Sequence, residues 1–272
     1  MTHSRPAIHR LLDDANLAPR RDLGQNFVAD PNTVRKIAEL ARVGESDRVV
    51  EVGAGLGSLT LALAETGARV TAVEVDTGVA AQLRTVVADI DNIEVVEGDA
   101  MSLDWPRLLA ERGDDESSWV LVANLPYNVA TPLVCDLLDE VPAIERMLVM
   151  VQREVAERFA AGPGSKTYGA VSVKAAFWIR ARVVGLVPSS VFVPRPNVES
   201  ALLQIERHDP PDIEPAALFE LVRTAFNQRR KMLRRSLADL VTTEQFEHAG
   251  VAPTARPEEL DVNAWVRLTA AT

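Results

Sequence analysis

A regular alternation of strand-like and helix-like segments is the feature that most constrains the fold of this chain. Between Pro31 and about Gln204, short runs rich in valine and isoleucine are separated by stretches with helical spacing, such as Ser58–Glu65 and Val79–Val87. The runs are Val49–Val52, Val70–Val73, Ile93–Val96, Val120–Val122 and Met147–Val151. Strands that alternate with helices in this way form a mostly parallel sheet covered on both faces. The sequence therefore predicts an α/β fold.

Segments of different character flank this alternation. Residues 1–30 form a polar N-terminal arm, residues 31–207 form the α/β domain, and residues 208–272 form a small all-helical domain behind a proline-containing linker. Asp30 and Pro31 suit the N-cap and first position of a helix. Val183–Val187 and Ala201–Ile205 predict an antiparallel pair at the sheet edge, because prolines mark the loop between them.

Composition narrows the class of protein. The chain has 272 residues, a net charge of −10 and a single cysteine, Cys135, which excludes an intrachain disulfide. A reducing compartment is expected from this cysteine usage. No apolar run reaches the length of a membrane span, so we expect a cytoplasmic protein with no membrane partner. The four histidines are scattered, and no metal site is expected.

The glycine-rich segment Gly53-Ala54-Gly55-Leu56-Gly57 follows a strand-like run and precedes a helical stretch. Glycines let the backbone turn sharply and approach a ligand, although they also occur in purely structural turns. Glu74 ends the next strand and is placed to accept both ribose hydroxyls, while Asp99 ends a third strand and is placed to accept from an adenine amine. The spacing does not match a dinucleotide pyrophosphate site. The glycine segment, Glu74 and Asp99 together favour S-adenosylmethionine as cofactor.

Asn124-Leu125-Pro126-Tyr127 follows an apolar run that ends at Ala123. The Asn124 side-chain oxygen and the Leu125 carbonyl can accept the two hydrogens of a planar amine. Pro126 limits the conformation of the preceding residue, so the Leu125 carbonyl is oriented in advance. The Tyr127 ring can stack on the ring that carries the amine. The tetrapeptide predicts a binding site for an exocyclic amine.

Together these motifs resemble the ribosomal RNA adenine N6-dimethyltransferases, specifically the small-subunit (16S) enzymes of the kasugamycin-resistance type. The resemblance covers nearly the whole chain, and its motifs occur in the family's order. They are Leu23–Phe27, Glu51–Thr60, Val73–Asp76, Glu97–Ala100, Asn124–Asn128, Val151–Arg158, Gly164–Gly169, Phe192–Ser200 and Phe226–Lys231. Val28 stands where a leucine is more usual, and Ala54 stands where the family often has proline.

The resemblance implies a Rossmann-like, S-adenosylmethionine-dependent methyltransferase domain with a small C-terminal all-α domain. It implies dimethylation of N6 on two adjacent adenosines near the 3′ end of small-subunit ribosomal RNA, within the small-subunit (30S) particle, as a step of ribosome biogenesis. Cofactor contacts are implied for Asn26 and Val28 of the arm, for Gly53 and Gly55, and for Glu74, Asp99 and Asn124. Tyr127 would stack on a flipped adenine, and Phe192 is a candidate for its opposite face.

A local excess of positive charge contrasts with the acidic chain. Between Glu220 and Ser236, six cationic residues face one acid. The segment from Phe226 to Leu237 is predicted as one helix in which Arg230 and Arg234 share a face. The candidate phosphate-binding residues are Arg229, Arg230, Lys231, Arg234 and Arg235. Such a row would neutralise RNA phosphates, whereas the alternative is a solvated charged face.

Other functions remain open at this point. They are a methyltransferase of large-subunit ribosomal RNA that confers antibiotic resistance, methylation of DNA adenine or protein glutamine, and a non-catalytic RNA-binding assembly factor. The intact set of Asn26, Glu74, Asp99, Asn124 and Tyr127 favours an enzyme over the last of these. A monomer is expected, since no oligomerisation face is evident.

Overall fold

The computed structural model describes residues 2–113 and 117–272. Two compact units are present. The first comprises the chain up to Ala156 together with Val183–Glu206, and the second comprises Glu157–Arg182 together with Arg207–Thr272. The segment 157–182, which the sequence assigned to the α/β domain, therefore belongs to the second unit.

The described strands follow the runs in the sequence. They are β1 (Phe27–Val28), β2 (Arg48–Val52), β3 (Arg69–Glu74), β4 (Ile93–Glu97), β5 (Trp119–Asn124), β6 (Ile144–Gln152), β7 (Ile179–Val187), β8 (Phe192–Val193) and β9 (Ser200–Arg207). In the described part of the chain, one sheet has the order β4-β3-β2-β5-β6-β9-β7, and β1 and β8 form a separate antiparallel pair. The strands from β4 to β6 run parallel, whereas β9 runs antiparallel to β6. The predicted mostly parallel sheet is confirmed. The two runs predicted to pair at its edge form β7 and β9, which are neighbours there.

Helices occupy the connections. They are α1 (Arg5–Asp14), α2 (Pro31–Ala41), α3 (Ser58–Ala64), α4 (Thr77–Val86), α5 (Trp105–Ala110), α6 (Ala130–Glu140), α7 (Arg153–Phe159), α8 (Ala170–Trp178), α9 (Pro215–Asn227), α10 (Leu233–Ser236), α11 (Thr243–His248) and α12 (Val262–Ala270). The Asp30 carboxylate accepts from the backbone N–H of Thr33 at 2.9 Å. Helix α2 therefore begins at Pro31, as the sequence predicts.

The topology of the first unit brings three strand ends together. β2 lies between β3 and β5, and all three run in the same direction. Val49, Val50, Leu121 and Val122 are completely buried, so these strands form the centre of the core. In an open α/β sheet, ligands bind outside the carboxyl ends of such strands. The glycine segment, Glu74 and Asn124 follow those ends.

The N-terminal arm is more structured than its polar composition suggests. Residues Arg5–Asp14 form α1, whose Ile8 and Leu12 side chains are buried. Both belong to a hydrophobic cluster that includes Phe27, Leu56 and Val193. The arm therefore packs on the glycine segment through Leu56.

The second unit has its own hydrophobic core, built around Trp265, Phe177, Tyr168 and Phe246. The Tyr168 hydroxyl donates to the Leu260 carbonyl at 2.8 Å. Since α8 contributes Phe177 and Val173 to this core, its packing explains why residues 157–182 belong here.

The prediction of one basic helix from Phe226 to Leu237 is wrong. Helix α9 ends at Asn227, and α10 is a separate four-residue helix. The backbone N–H of Leu233 donates to Ala255, and that of Arg234 donates to Pro253. Because these donors bind carbonyls from a distant loop, they do not continue the helical hydrogen-bond ladder. Leu233 and Leu237 are completely buried.

Among the described residues, no helix combines the length and apolar character needed to cross a membrane.

Candidate active site

A pocket lies at the carboxyl ends of β2, β3 and β5. Its walls come from the arm, the glycine segment, the end of β3 and the tetrapeptide after β5. The predicted site residues that line it are Asn26, Val28, Gly53, Gly55, Glu74, Asn124, Leu125, Pro126 and Tyr127. Residues separated by about a hundred positions in the sequence are thus brought to one place by the parallel strand order.

Glu74 is held in a fixed orientation at the pocket wall. One carboxylate oxygen accepts from the backbone N–H of Gly55 at 2.8 Å, and the other accepts from Asp76 at 3.0 Å. Burial raises the pKa of Glu74, while these two hydrogen bonds favour its ionised form. A carboxylate oxygen can accept more than one hydrogen, so Glu74 keeps capacity for a ligand hydroxyl.

Two glycines of the loop are required by their backbone conformation. Gly53 and Gly55 have φ angles of +69° and +59°, a region that residues with side chains rarely adopt. A Cβ at Gly55 would approach the Phe27 ring to 3.0 Å, and a Cβ at Gly53 would lie 3.4 Å from Pro126. The loop therefore lies close to both the arm and the tetrapeptide.

Asn124 has one defined amide orientation. Its nitrogen donates to the backbone carbonyl of Asn26 at 3.0 Å. Because a carbonyl can only accept, the nitrogen of Asn124 must face Asn26 and the side-chain oxygen must point the other way. The arm thus leaves an acceptor oxygen available at the predicted position of the amine.

Tyr127 is anchored through its hydroxyl. That hydroxyl and the Oγ of Ser200 form a 2.6 Å hydrogen bond. Ser200 is completely buried at the start of β9. Burial raises the pKa of Tyr127, so its phenol is neutral near pH 7. No role was predicted for Ser200, although it ends the Phe192–Ser200 motif.

Glu51 is a pocket residue that the sequence reasoning overlooked. It lines the pocket, is 2% exposed, and its Oε2 has no hydrogen-bond partner among the described residues. Burial, together with nearby Glu74, raises the pKa of Glu51 to about 8. An acid among the valines of strand β2 was the available signal, since a buried carboxylate oxygen without a partner is costly unless it serves a ligand.

Two residues that were predicted to belong to the site do not line the pocket. Asp99 is exposed, and its carboxylate accepts from the backbone N–H of Met101 at 2.9 Å in a local turn. Phe192 is completely buried in the core with Val34 and Leu202. Its strand β8 pairs with β1, so that Phe192 lies opposite Val28. The ring predicted to stack on a base is therefore a core side chain in this structure.

The cationic segment, residues 229–235, lies in the second unit. Arg230, Lys231, Arg234 and Arg235 are exposed. Arg229 differs, because its guanidinium pairs with Glu258 and donates to the Lys166 carbonyl. Four of the five predicted phosphate-binding residues are thus accessible, while Arg229 has a structural partner.

Comparison with known proteins identifies the family of the chain. The model of the family described as "Ribosomal RNA adenine dimethylase" matches residues 16–271. A protein named "Ribosomal RNA small subunit methyltransferase A" from Bifidobacterium adolescentis is 46% identical, with 97% of this chain and 92% of that protein covered. The protein of the same name from Leifsonia xyli is 47% identical, with 97% and 96% covered.

Solved structures share the fold. The 23S rRNA methyltransferase ErmE is 27% identical with a TM-score of 0.69, covering 90% of this chain and 98% of that one. A dimethyladenosine transferase from Plasmodium falciparum is 23% identical with a TM-score of 0.75, covering 88% and 94%. The fold is thus that of Rossmann-like, S-adenosylmethionine-dependent methyltransferases. The chain belongs to the ribosomal RNA adenine dimethylase family and is an S-adenosylmethionine-dependent ribosomal RNA adenine methyltransferase.

Proposed function

We propose that this protein dimethylates N6 of two adjacent adenosines near the 3′ end of small-subunit ribosomal RNA. The observation that carries the proposal is the fixed amide of Asn124, whose oxygen is left as an acceptor by the hydrogen bond to Asn26. The relatives named for the small ribosomal subunit are 43–47% identical to the chain. The ErmE structure, named for 23S rRNA, is 27% identical. This difference favours the small subunit over the large one.

The pocket residues fit S-adenosylmethionine. Glu74 offers a carboxylate for the ribose, and Gly53 and Gly55 offer backbone where a Cβ would intrude. The free Oε2 of buried Glu51 offers an acceptor for a cationic group. Asn26 and Val28 close the pocket from the arm, and Asp99 remains the proposed partner of the adenine. When bound, the cofactor supplies an electrophilic methyl group on a sulfonium.

The residues of the tetrapeptide act by positioning the amine. An adenine amine is a weak nucleophile because its lone pair is delocalised into the ring. The Asn124 oxygen and the Leu125 carbonyl would accept its two hydrogens, which favours a pyramidal nitrogen with the lone pair directed toward the methyl group. The backbone N–H of Leu125 is bonded to the Met150 carbonyl at 3.1 Å, which fixes this residue on the sheet. No strong base is needed for this step.

Substrate binding uses an aromatic ring and cationic side chains. Tyr127 would stack on the extruded adenine, with its hydroxyl tied to Ser200. In the second unit, Arg230, Lys231, Arg234 and Arg235 would contact phosphates of the small-subunit (30S) particle. We propose a monomer that works in the cytoplasm without a metal.

Asn124→Ala tests this function. Methyl incorporation into undermethylated small subunits should be abolished, because the amine loses its acceptor and Asn26 loses its partner. Cofactor binding by calorimetry should remain measurable. The matched control is Asn32→Ala, an exposed amide that accepts from Arg35 away from the pocket, and it should keep wild-type activity. Activity of Asn124→Ala within a few-fold of wild type would contradict the role of Asn124.

A further inference from the structure

Two arginines converge on one exposed turn of the first unit, although they are 190 positions apart in the sequence. Arg5, at the start of α1, donates from Nη2 to the Ser190 carbonyl at 2.7 Å. Arg195 donates from Nε to the Oγ of Ser189 at 2.9 Å. Ser189 and Ser190 belong to a short 3₁₀ turn that leads into β8. Both guanidinium groups are therefore bonded to the same turn.

The charge of this pair is not neutralised within the part of the chain that the structure describes. Among the described residues, neither Arg5 nor Arg195 has a carboxylate within ion-pair distance, and both are exposed. The segment 188–198 contains no acid. A guanidinium presents five donors, and each arginine uses one of them in its bond to the turn. The remaining donors are available for an anion.

The turn is connected directly to the wall of the pocket. The Ala29 N–H donates to the Val191 carbonyl, and β8 pairs with β1. Strand β1 consists of Phe27 and Val28, both of which line the pocket. The turn that carries both arginines thus leads directly into the strand pair whose β1 residues line the pocket.

We propose that Arg5 and Arg195 form a phosphate-binding site for the RNA strand that flanks the target adenosine. Paired arginines bind phosphate through several parallel N–H donors, which gives orientation as well as attraction. This site rests on the proposed function, because its ligand is the backbone of the same substrate. It differs from the cationic segment of the second unit, which has no residue in common with it.

The test is the salt dependence of RNA binding by the full-length protein. The probe is the small ribosomal subunit from a strain that lacks this modification. The double variant Arg5→Gln, Arg195→Gln should reduce the slope of log affinity against log salt by about one to two, as expected for the loss of one or two phosphate contacts. Calorimetric cofactor affinity should be unchanged.

The matched control is Arg84→Gln, Arg107→Gln, which removes the same charge from arginines already paired with Glu97 and Glu111. Its salt slope should equal that of wild type. A wild-type slope for Arg5→Gln, Arg195→Gln would overturn the phosphate site. If cofactor affinity fell while the slope stayed constant, the arginines would only stabilise the arm, and the proposal would also fail. Failure of the wild-type protein to bind the probe would instead contradict the proposed function.

A second inference follows from the bond between Tyr127 and Ser200. Ser200 is completely buried and pairs with Gln152 at the junction of β6 and β9. Its Oγ lies 2.6 Å from the Tyr127 hydroxyl, across 73 residues of sequence. This bond limits rotation of the phenol relative to the sheet. The geometry points to Ser200 as a positioning residue that holds the Tyr127 ring in the plane needed for stacking.

A double-mutant cycle tests this inference. Tyr127→Phe keeps the ring and removes only the hydroxyl, so kcat should fall roughly three- to ten-fold, the effect of one hydrogen bond. Ser200→Ala should have a similar effect, and the double variant should lose no more than Tyr127→Phe alone. Cofactor affinity should stay constant in all three. Additive losses in kcat, or no loss in Tyr127→Phe, would overturn the positioning role of Ser200. Tyr127→Phe leaves β9 intact, so its kcat tests the role even if Ser200→Ala does not fold.

Discussion

At the scale of single residues, the site depends on side chains whose surroundings are set by distant parts of the chain. The sequence predicted Asn124 from its motif, and the structure adds that Asn26 orients the amide. Glu51 and Ser200 were not assigned in the same way, because a single acid in a strand and a single serine do not identify a ligand. Their roles depend on the burial and on the partners that the fold supplies.

Glu51 should make the stability of the free protein depend on pH. Its pKa is about 8 in the folded protein, well above the value of an exposed glutamate. Between about pH 5 and pH 8 the folded state therefore holds a proton that the unfolded state has lost, and stability falls as pH rises, by at most about 1.4 kcal/mol per unit. Glu74 contributes in the same direction, since burial also raises its pKa.

Thermal unfolding at pH 5.5 and pH 8 measures this effect. Glu51→Gln should lose part of the decrease in melting temperature that wild type shows between the two values. Glu39→Gln, on the exposed face of α2, is the control and should behave as wild type. Equal pH dependence in Glu51→Gln and wild type would show that the Glu51 carboxyl is ionised throughout.

At the scale of elements, α1 supports the pocket without lining it. Ile8 is completely buried against a cluster that includes the pocket residues Phe27 and Leu56. His3 adds a hydrogen bond from its Nε2 to the Leu56 carbonyl at 2.9 Å. Ile8→Ala should destabilise this packing by about 2–5 kcal/mol and weaken cofactor binding several-fold in calorimetry. Arg10→Ala, exposed on the same helix, should bind as wild type; unchanged binding in Ile8→Ala would show that α1 does not support the pocket.

The cationic segment is a second element with a measurable role. Arg230 lies in the break between α9 and α10, Arg234 lies in α10, and both are exposed. Charge reversal of both, Arg230→Glu with Arg234→Glu, should weaken RNA binding and flatten its salt dependence. Arg84→Glu with Arg107→Glu changes the net charge equally, and should leave the salt slope near that of wild type. An unchanged slope in the first variant would remove this segment from the interface.

Some elements of the fold could be predicted from the sequence, and others could not. The strands of the parallel sheet were predicted because each is a buried run of β-branched residues between turn signals. The break after Asn227 was not, because it follows from hydrogen bonds of Leu233 and Arg234 to Ala255 and Pro253. The burial of Phe192 was not predicted either, because β8 has only two residues, too few for alternation to indicate which face is buried.

At the scale of the whole molecule, the family membership and the site describe one activity. The family model spans residues 16–271, so both compact units belong to it. The first unit holds the pocket proposed for the cofactor and the tetrapeptide proposed to bind the amine, and the second holds the exposed cationic segment. The net charge of −10 therefore does not oppose RNA binding, because cationic residues are concentrated locally.

The most direct test is methylation of small ribosomal subunits from a strain that lacks this modification. Purified protein and S-adenosylmethionine should convert two adjacent adenosines near the 3′ end of the RNA to N6,N6-dimethyladenosine, identified by mass spectrometry of RNA fragments. Large subunits treated in parallel should remain unmodified. Methylation confined to large-subunit RNA, or none on either subunit despite measurable cofactor binding, would contradict the account.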